Sequence, residues 1–170
     1  MLFESITSAA EAESPVWSAS LRAVPDLEPV FSPLVPEPLR LGLETIYEAY
    51  LVHFGRPRLF APPDPDTALL LGDYLYAHGL VRIAALGDTT AVGDLAELIS
   101  ICGQLRAEEL PGDGAAWAAT AALLGRGTLV EPRDALRRRS DLVPLERAAR
   151  EAAGDEAVDR ALAAHAGRVG

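Results

Sequence analysis

Two glutamates, Glu44 and Glu48, stand four positions apart in a segment whose apolar residues recur every three or four positions. Residues at this spacing share one face of a helix, so the two carboxylates could together hold one divalent cation. Arg40 lies on the same side, and charged residues on an amphipathic helix are usually hydrated. We therefore treat Glu44 and Glu48 as metal candidates in principle only and expect them on the solvated face.

Other polar residues that could do chemistry lie downstream. Asp73 stands within the apolar residues 67–87, where a buried carboxylate is costly without a partner, so we expect it to bond to a neighbouring helix or an arginine. His78 lacks a second metal-type residue three or four positions away and is expected to be structural. Asp64 and Asp66, in a Pro-Asp-Pro-Asp string, are typical of a turn and a helix N-cap.

The composition limits the chemistry open to the chain. All 15 of its basic residues are arginine, which excludes a Schiff-base lysine and a P-loop lysine. The formal net charge is −10 at pH 7, and so acidic a chain argues against general binding to nucleic acid. Arg137, Arg138 and Arg139 form a local basic run, which we expect to be a hydrated face rather than a dock for a diphosphate or a partner.

Nothing in the sequence predicts export or a membrane span. Glutamates interrupt residues 1–15, and no run approaches the roughly 20 apolar residues that a bilayer requires. The one cysteine, Cys102, has no partner for an intramolecular disulfide. Its place on an apolar helical stripe indicates a small core side chain. These features predict a cytoplasmic protein without a transmembrane segment.

Two regions differ in their helical pattern. Prolines recur between Ser14 and Pro38, where they remove backbone donors and shorten any helix. We therefore predict an N-terminal arm over residues 1–38, with a short helix or turns, and a single all-helical domain over residues 39–170. Alternating β-branched runs bounded by turn residues are lacking, so the predicted fold class is all-α.

Helices within the domain follow from apolar periodicity. Residues 39–54 and 90–109 each carry one apolar stripe, typical of an amphipathic helix, and Ile101 stands on the polar side of the second. Residues 67–87 are apolar around nearly the whole circumference. We therefore expect this helix to be the central element of the fold, or of an assembly. Shorter helices are predicted at 115–124, 141–153 and 155–167.

The apolar segment opens with the string Leu70-Leu71-Gly72-Asp73-Tyr74-Leu75-Tyr76-Ala77 and closes at Leu86-Gly87-Asp88. Upstream of it, Gly55-Arg56-Pro57 forms a Gly-x-Pro turn. With the interval that separates them, these strings resemble the trans-isoprenyl diphosphate synthases, an all-helical family, over about residues 39 to 125. The resemblance implies a helical bundle similar to a truncated isoprenoid synthase fold, preceded by the proline-rich N-terminal arm.

The resemblance also implies where the family's chemistry would lie. In that family, magnesium ions held by two aspartate-rich motifs neutralise the departing diphosphate. The first motif falls on Glu44, Thr45 and Glu48, which keeps two carboxylates, and the second motif is missing after Leu124. The family also binds the diphosphates with lysines, and Arg56 is the one residue here that could replace them. No catalytic residue is therefore assigned, and we expect no cofactor for this chain alone, with magnesium held in a partner's catalytic subunit.

A half-length chain without the metal motifs is similar to the small subunits of some heteromeric bacterial synthases. The resemblance therefore implies a non-catalytic or regulatory small subunit of a heteromeric polyprenyl diphosphate synthase, inactive alone. Such a subunit supports a larger catalytic subunit and helps to set prenyl chain length. Candidates for contacting substrate or lining its tunnel are Tyr74, Leu75, Tyr76, Asp73 and Arg56. Ordinary core packing is the alternative for each tyrosine.

Two other hypotheses remain open at this point. The first is a self-associating helical scaffold or interaction protein derived from the isoprenoid synthase fold, which would form a homo-oligomer. The second is a diverged stand-alone enzyme that uses Glu44 and Glu48 with magnesium. The oligomeric state of the isolated chain and its activity without a partner distinguish these hypotheses from a small subunit.

Overall fold

The computed structural model describes residues 1–169, and Gly170, the last residue of the predicted domain, lies outside them. Within this range the chain is all-helical, as predicted. Its helices are α1 (Leu2–Glu13), α2 (Pro15–Ala19), α3 (Arg40–Phe54), α4 (Pro65–Ala84), α5 (Thr89–Ala107), α6 (Asp113–Ala122), α7 (Val130–Arg139), α8 (Val143–Ala153) and α9 (Asp155–Val169). Two short 3₁₀ turns, Ser32–Leu34 and Glu37–Leu39, precede α3.

Helix α3 is the central element of the fold. Every residue from Gly42 to Val52 is buried, although glutamate and threonine interrupt the apolar pattern. Helices α1, α4 and α9 contact it from different sides. Residues 67–87 are therefore not the central helix of this fold, because hydrophobicity alone does not say which apolar helix the others surround; a central place in an assembly stays a prediction.

Helix α4 packs closely on α3 through glycines. Gly42 of α3 and Gly79 of α4 lie at the contact, and Gly72 lies against the ring of His53. Only one face of α4 is buried, through Leu71, Gly72, Leu75, Gly79 and Ile83. On the opposite face Leu69, Leu70 and Val81 are 55%, 61% and 64% exposed. The helix therefore lies at the edge of the bundle.

Two hydrophobic clusters fill the interior. The larger contains Leu43, Ile46 and Tyr47 of α3 and continues through α5, α6, α8 and α9. The smaller lies on the other side of α3 and joins it to α1 and α4, with Phe3 and Leu71 among its members. Ile101 is buried in the larger cluster at 1% exposure, so the expectation that it projects from a polar side is wrong. Cys102 is buried beside it, as predicted.

The N-terminal segment is packed against the helices. Phe3, Ile6 and Ala10 of α1 are buried, and residues 20–26 run alongside residues 58–61. Their backbones join through Arg22 N–H to the Leu59 carbonyl at 2.9 Å and Ala61 N–H to the Ser20 carbonyl at 2.7 Å. Residues 20–28, which we call the strap, thus run alongside the loop that follows α3.

Helix boundaries follow their capping residues. Asp64 caps α4 by accepting the Thr67 N–H at 2.8 Å, as its Pro-Asp-Pro-Asp setting predicts, and Asp88 caps α5 through the Ala91 N–H at 2.8 Å.

The sequence interpretation missed α7, whose apolar positions are few. None of the helices described over residues 1–169 combines the length and the apolar character that crossing a bilayer requires.

Candidate functional site

Glu44 and Glu48 are buried beneath the strap, at 1% and 0% exposure, so the expectation of a solvated face is wrong. Arg58 is the reason. It lies four residues after the end of α3, and the turn at Gly55 and Pro57 directs the chain back along the helix. The arginine side chain, also buried at 1% exposure, meets both carboxylates.

Arg58 and the two glutamates form a dense hydrogen-bonded cluster. The guanidinium donates from Nη2 to Glu44 Oε2 at 2.6 Å and from Nε to Glu48 Oε2 at 3.2 Å. Its Nη1 donates to the Glu28 carbonyl oxygen of the strap at 2.9 Å. Glu48 Oε1 accepts the backbone N–H groups of Arg58 and Leu59 at 2.8 and 2.7 Å. This cluster fastens the strap and the loop to α3.

Burial and aromatic rings shape the electrostatics of this cluster. The guanidinium carbon lies 5.1 Å from the ring centre of Phe3 and 5.0 Å from that of Tyr47, within range of a cation–π attraction. Burial lowers the pKa of Arg58, but the charges of Glu44 and Glu48 more than offset this, and the net pKa is raised. Burial raises the pKa of Glu48, and Arg58 opposes that shift. The arginine therefore stays protonated.

Magnesium does not fit this arrangement. The position that two carboxylates would offer to a metal is taken by the guanidinium of Arg58, which satisfies an oxygen of each. Across residues 1–169 no group of three or more histidine, cysteine, aspartate or glutamate side chains has a geometry that could hold a metal ion. No step that depends on magnesium is therefore assigned to this chain.

A cleft of about 500 Å³ lies between the strap and the end of α9. Its lining includes Arg22, Asp26, Arg56, Arg58 and Arg168. Arg168 forms a salt bridge with Asp26 Oδ2 at 2.8 Å and donates to Glu28 Oε2 at 3.0 Å, so these three charges at the cleft are already paired. The cleft borders Arg58 and Glu28, but the side chains of Arg58, Glu44 and Glu48 stay buried beneath it.

A second polar network joins four helices. Tyr50 of α3 donates its hydroxyl proton to Asp113 of α6, and Arg106 of α5 donates to both of these side chains. His165 of α9 lies 3.2 Å from Asp113 Oδ2 through Nε2, and 3.0 Å from the Tyr47 hydroxyl through Nδ1. Because an ionised carboxylate only accepts, Nε2 of His165 carries the proton that it donates to Asp113.

One end of this network is sealed in the interior and the other end borders a cavity. Tyr47 is 1% exposed, whereas Arg106 and Asp113 line a cavity of about 640 Å³. Burial alone would raise the pKa of Asp113, but hydrogen bonds from His165 and Tyr50 and the charge of Arg106 outweigh it and lower the pKa. Burial raises the pKa of both tyrosines. The ionised aspartate thus acts as a brace between α3, α5, α6 and α9.

A third charged pair lies inside the bundle. Asp94 of α5 accepts from Arg133 Nη1 at 3.1 Å and from the Gly125 N–H at 3.0 Å. Arg133 also donates to the Thr120 hydroxyl at 3.2 Å. Periodicity places Asp94 on the polar side of α5, and the structure buries it because α7 supplies the arginine.

Asp73 is exposed, contrary to the expectation of a buried carboxylate. Its side chain is 66% exposed, and Oδ1 lies 3.3 Å from Nε2 of His53, at an alignment outside that of a hydrogen bond. The ring of Tyr76 stacks on the ring of His53, with the two ring centres 5.2 Å apart. Burial lowers the pKa of His53, and Asp73 partly opposes this. The structure therefore brings Asp73 and Tyr76 together around His53.

The other predicted contact residues are separate from this group. Leu75 is buried in the smaller cluster, and Tyr74 stacks on Trp17 with ring centres 5.7 Å apart. Arg56 donates to the Gly167 carbonyl of α9, on the cleft side. The side chains of Tyr74, Leu75 and Tyr76 are thus engaged in contacts within the chain.

Comparisons with known proteins found no counterpart. No protein-family model, no curated protein and no solved structure matches this chain. The resemblance to the trans-isoprenyl diphosphate synthases therefore remains a prediction from the strings themselves.

The remaining candidates have structural surroundings. His78 is half-buried and stacks on Tyr74 with ring centres 5.4 Å apart. Arg137 pairs with Glu97 of α5 at 2.7 Å, and Arg138 with Asp134 at 3.4 Å. The role of Arg58 was not predicted from the sequence. One signal could have indicated it: if a glutamate pair lies on a helix that other helices surround, a cation must be buried beside it.

Proposed function

We propose that this chain is a non-catalytic subunit that binds a larger, catalytic polyprenyl diphosphate synthase subunit and helps to set prenyl chain length. The observation that carries the proposal is the exposed apolar face of α4. That helix contains the Gly-Asp-Tyr-Leu string that resembles the synthase family. It stands at the edge of the bundle, where a partner can cover it.

The exposed face of α4 has the residue pattern of a docking helix. Leu70, Ala77 and Val81 recur at intervals of seven and four residues along its solvent side, and Leu69 flanks them. Large apolar side chains exposed side by side on a helix are typical of interaction sites. Leu70 and Val81, rather than the internally packed tyrosines, are the residues through which α4 would contact a partner and affect product length.

Charge favours a different partner over a second copy. Asp66 and Asp73 lie on the same exposed face, and the chain carries a net charge of −10. Two copies meeting through α4 would bring like charges together, which opposes association. A partner with arginine or lysine beside an apolar surface complements this face.

The Arg58 cluster supports the non-catalytic part of the proposal. In the family that this chain resembles, the first aspartate-rich motif binds magnesium, and both matching carboxylates here form ion pairs with one internal arginine. Magnesium in such a complex would belong to the catalytic subunit.

The test is co-purification with a full-length synthase that carries both aspartate-rich motifs, with affinity measured for two matched variants. Val81→Ser is expected to weaken binding about tenfold, the effect of about 1.4 kcal/mol of lost apolar contact. Val130→Ser replaces a valine of similar exposure, 66% against 64%, on α7 and is expected to change nothing.

Two results would contradict the proposal. One is the formation of prenyl product by the chain alone when it is given allylic and homoallylic diphosphates in the presence of magnesium. The other is a stable homo-oligomer in light scattering that Val81→Ser disrupts and a synthase leaves unchanged, which would favour the self-associating scaffold.

A further inference from the structure

The cavity of about 640 Å³ beside the four-helix network combines apolar and charged walls. It lies between the end of α5, the turn into α6, the start of α6 and the last described residue of α9. Four apolar and three charged residues line it: Leu105, Leu110, Pro111 and Val169, with Arg106, Glu109 and Asp113. An apolar pocket with a few fixed polar groups is the usual form of a small-molecule site.

The ion pair of Arg106 and Asp113 leaves one atom of each side chain without a partner. Arg106 donates through Nε to Tyr50 and through Nη2 to Asp113 Oδ2, so Nη1 has no hydrogen bond to residues 1–169. The three donors to Asp113 all reach Oδ2, so Oδ1 has none either. Neither Nη1 nor Oδ1 is sealed from solvent. Because both side chains line the cavity, a donor and an acceptor are open to it side by side.

We propose that this cavity binds a small uncharged ligand through a primary carboxamide or lactam group, whose oxygen accepts from Arg106 Nη1 and whose N–H donates to Asp113 Oδ1. The apolar part of the ligand lies against Leu110 and Val169. This inference goes beyond the proposed synthase subunit and concerns the isolated chain, because all four residues lie outside α4.

The charges at the cavity favour a dipole over an ion. Arg106 and Asp113 carry opposite charges in direct contact, so together they present a positive and a negative end without a net charge. A carboxylate ligand would meet the carboxylates of Asp113 and Glu109, and an ammonium ligand would meet the guanidinium of Arg106. Like charges in contact oppose binding. An amide offers an acceptor and a donor and brings no charge.

The geometry selects among amides. In a primary carboxamide or a lactam, one N–H lies on the same side of the C–N bond as the carbonyl oxygen. In the trans peptide bond the N–H and the oxygen point in opposite directions. The neighbouring donor and acceptor of Arg106 and Asp113 therefore match a carboxamide or lactam edge and not an extended peptide.

Both recognition groups are held in place before a ligand binds. Tyr50 of α3 accepts from Arg106 and donates to Asp113, and His165 of α9 holds Asp113 from another side. Side chains that are already ordered lose little conformational entropy on binding. The network thus positions Nη1 and Oδ1 for the ligand.

The experiment is a nuclear magnetic resonance titration of the full chain without a synthase. The probes are benzamide, a primary carboxamide, and isocarbostyril, an aromatic lactam. We expect binding with a Kd of about 1 mM, as for other ligands of this size. The signals expected to shift are the Arg106 Nε–H and the backbone amides of Leu110 and Gly112.

Matched probes test the amide edge itself. N-Methylbenzamide has a trans amide, and N-methylisocarbostyril lacks the N–H. Both are expected to bind about tenfold more weakly than their parents, because each loses a hydrogen bond to a charged group. Benzoate, which replaces the amide with a carboxylate, is expected to bind more weakly than benzamide.

Variants test the protein side. Arg106→Lys keeps the positive charge but removes the planar fork that presents Nη1, and it is expected to weaken benzamide binding about tenfold. Leu110→Ser removes an apolar wall at a leucine that is 38% exposed, so it tests the site even if the Arg106 variant unfolds. It is expected to weaken binding about fivefold. Leu86→Ser, at a leucine outside the cavity that is 51% exposed, is expected to change nothing.

Three outcomes overturn the inference. They are the absence of shifts at Leu110 and Gly112 with both probes, equal affinity for the parent and N-methyl probes, and tighter binding of benzoate than of benzamide. Binding of one parent probe alone supports the inference and shows whether the ligand is a carboxamide or a lactam. Docking to a synthase is read from the Val81 variant and fails or succeeds independently.

Discussion

Gly42 of α3 and Gly79 of α4 face each other where the two helices touch. A methyl group added at Gly79 would lie 2.4 Å from Cγ1 of Ile46 and 3.0 Å from the Gly42 carbonyl oxygen. Both distances are shorter than ordinary van der Waals contact, and one of the atoms belongs to backbone. The close approach of α3 and α4 therefore depends on glycine at this point.

We expect Gly79→Ala to lower the free energy of unfolding by about 1 to 3 kcal/mol, the usual cost of overpacking a close contact. Alanine favours helix by up to about 1 kcal/mol, so steric repulsion must exceed that gain. Gly93→Ala is the matched control, since nothing lies within 4 Å of its added methyl. It is expected to stabilise the chain by about 0.5 to 1 kcal/mol in the same urea titration. Equal effects of the two substitutions would contradict the packing argument.

Arg133→Met is expected to destabilise the chain by about 3 to 5 kcal/mol, because it leaves Asp94 buried without its counter-ion. Adding Asp94→Asn should restore part of this loss in a double-mutant cycle. Arg137→Met removes an arginine from an ion pair whose glutamate is 51% exposed and should cost less than about 1 kcal/mol. If the Arg133 and Arg137 substitutions lower the free energy of unfolding equally, the ion pair of Asp94 and Arg133 does not behave as a buried pair.

Asp113→Asn should show a pH-dependent effect. The pKa of Asp113 is lowered from its ordinary value of 3.8 in the folded chain, so its contribution is fully present above the unfolded value and is lost as the pH falls below it. At neutral pH the free energy of unfolding of the variant is expected to be about 2 kcal/mol lower than that of wild type, the usual contribution of hydrogen bonds to a charged group.

The measurement for Asp113 is urea unfolding of wild type and variant between about pH 7 and pH 3. The difference in free energy between them should shrink below about pH 4. A difference that stays constant, or grows, with acidification would show that the aspartate is not selectively stabilised in its ionised form.

Ser140→Gly is expected to stabilise the chain. Ser140 ends α7 with φ 53°, a left-handed conformation that costs an L-residue about 1 kcal/mol or more and costs glycine little. Calorimetry should therefore show a higher unfolding temperature. Ser100→Gly, at an exposed position inside α5, should lower it, because glycine weakens a helix interior. Destabilisation by both substitutions would argue against a strained serine.

The elements that were predicted well carry local signals. The periodicity of residues 39–54 corresponds to α3, and the Pro-Asp-Pro-Asp string corresponds to the capped start of α4. Such signals depend on neighbours in sequence, so they can be interpreted without a fold. Helix α7 was missed because its arginine-rich surface and single buried charge give little apolar pattern.

The burial of Glu44, Glu48 and Asp94 could not be predicted from periodicity. Each is buried because an arginine from another element, Arg58 or Arg133, forms an ion pair with it. Helical spacing assigns a charged residue to the solvent side unless its partner is known. Asp73 is the converse case, since its apolar sequence neighbours predict burial but its side chain lies on the face of α4 that no described helix covers.

Helix α3 contributes to both hydrophobic clusters, with Ile46 and Tyr47 in one and Ala49 and Val52 in the other. We therefore expect the two halves of the interior to unfold together. Thermal unfolding should proceed as one all-or-none transition, and the amides of α3 should be the last in the chain to exchange with deuterium.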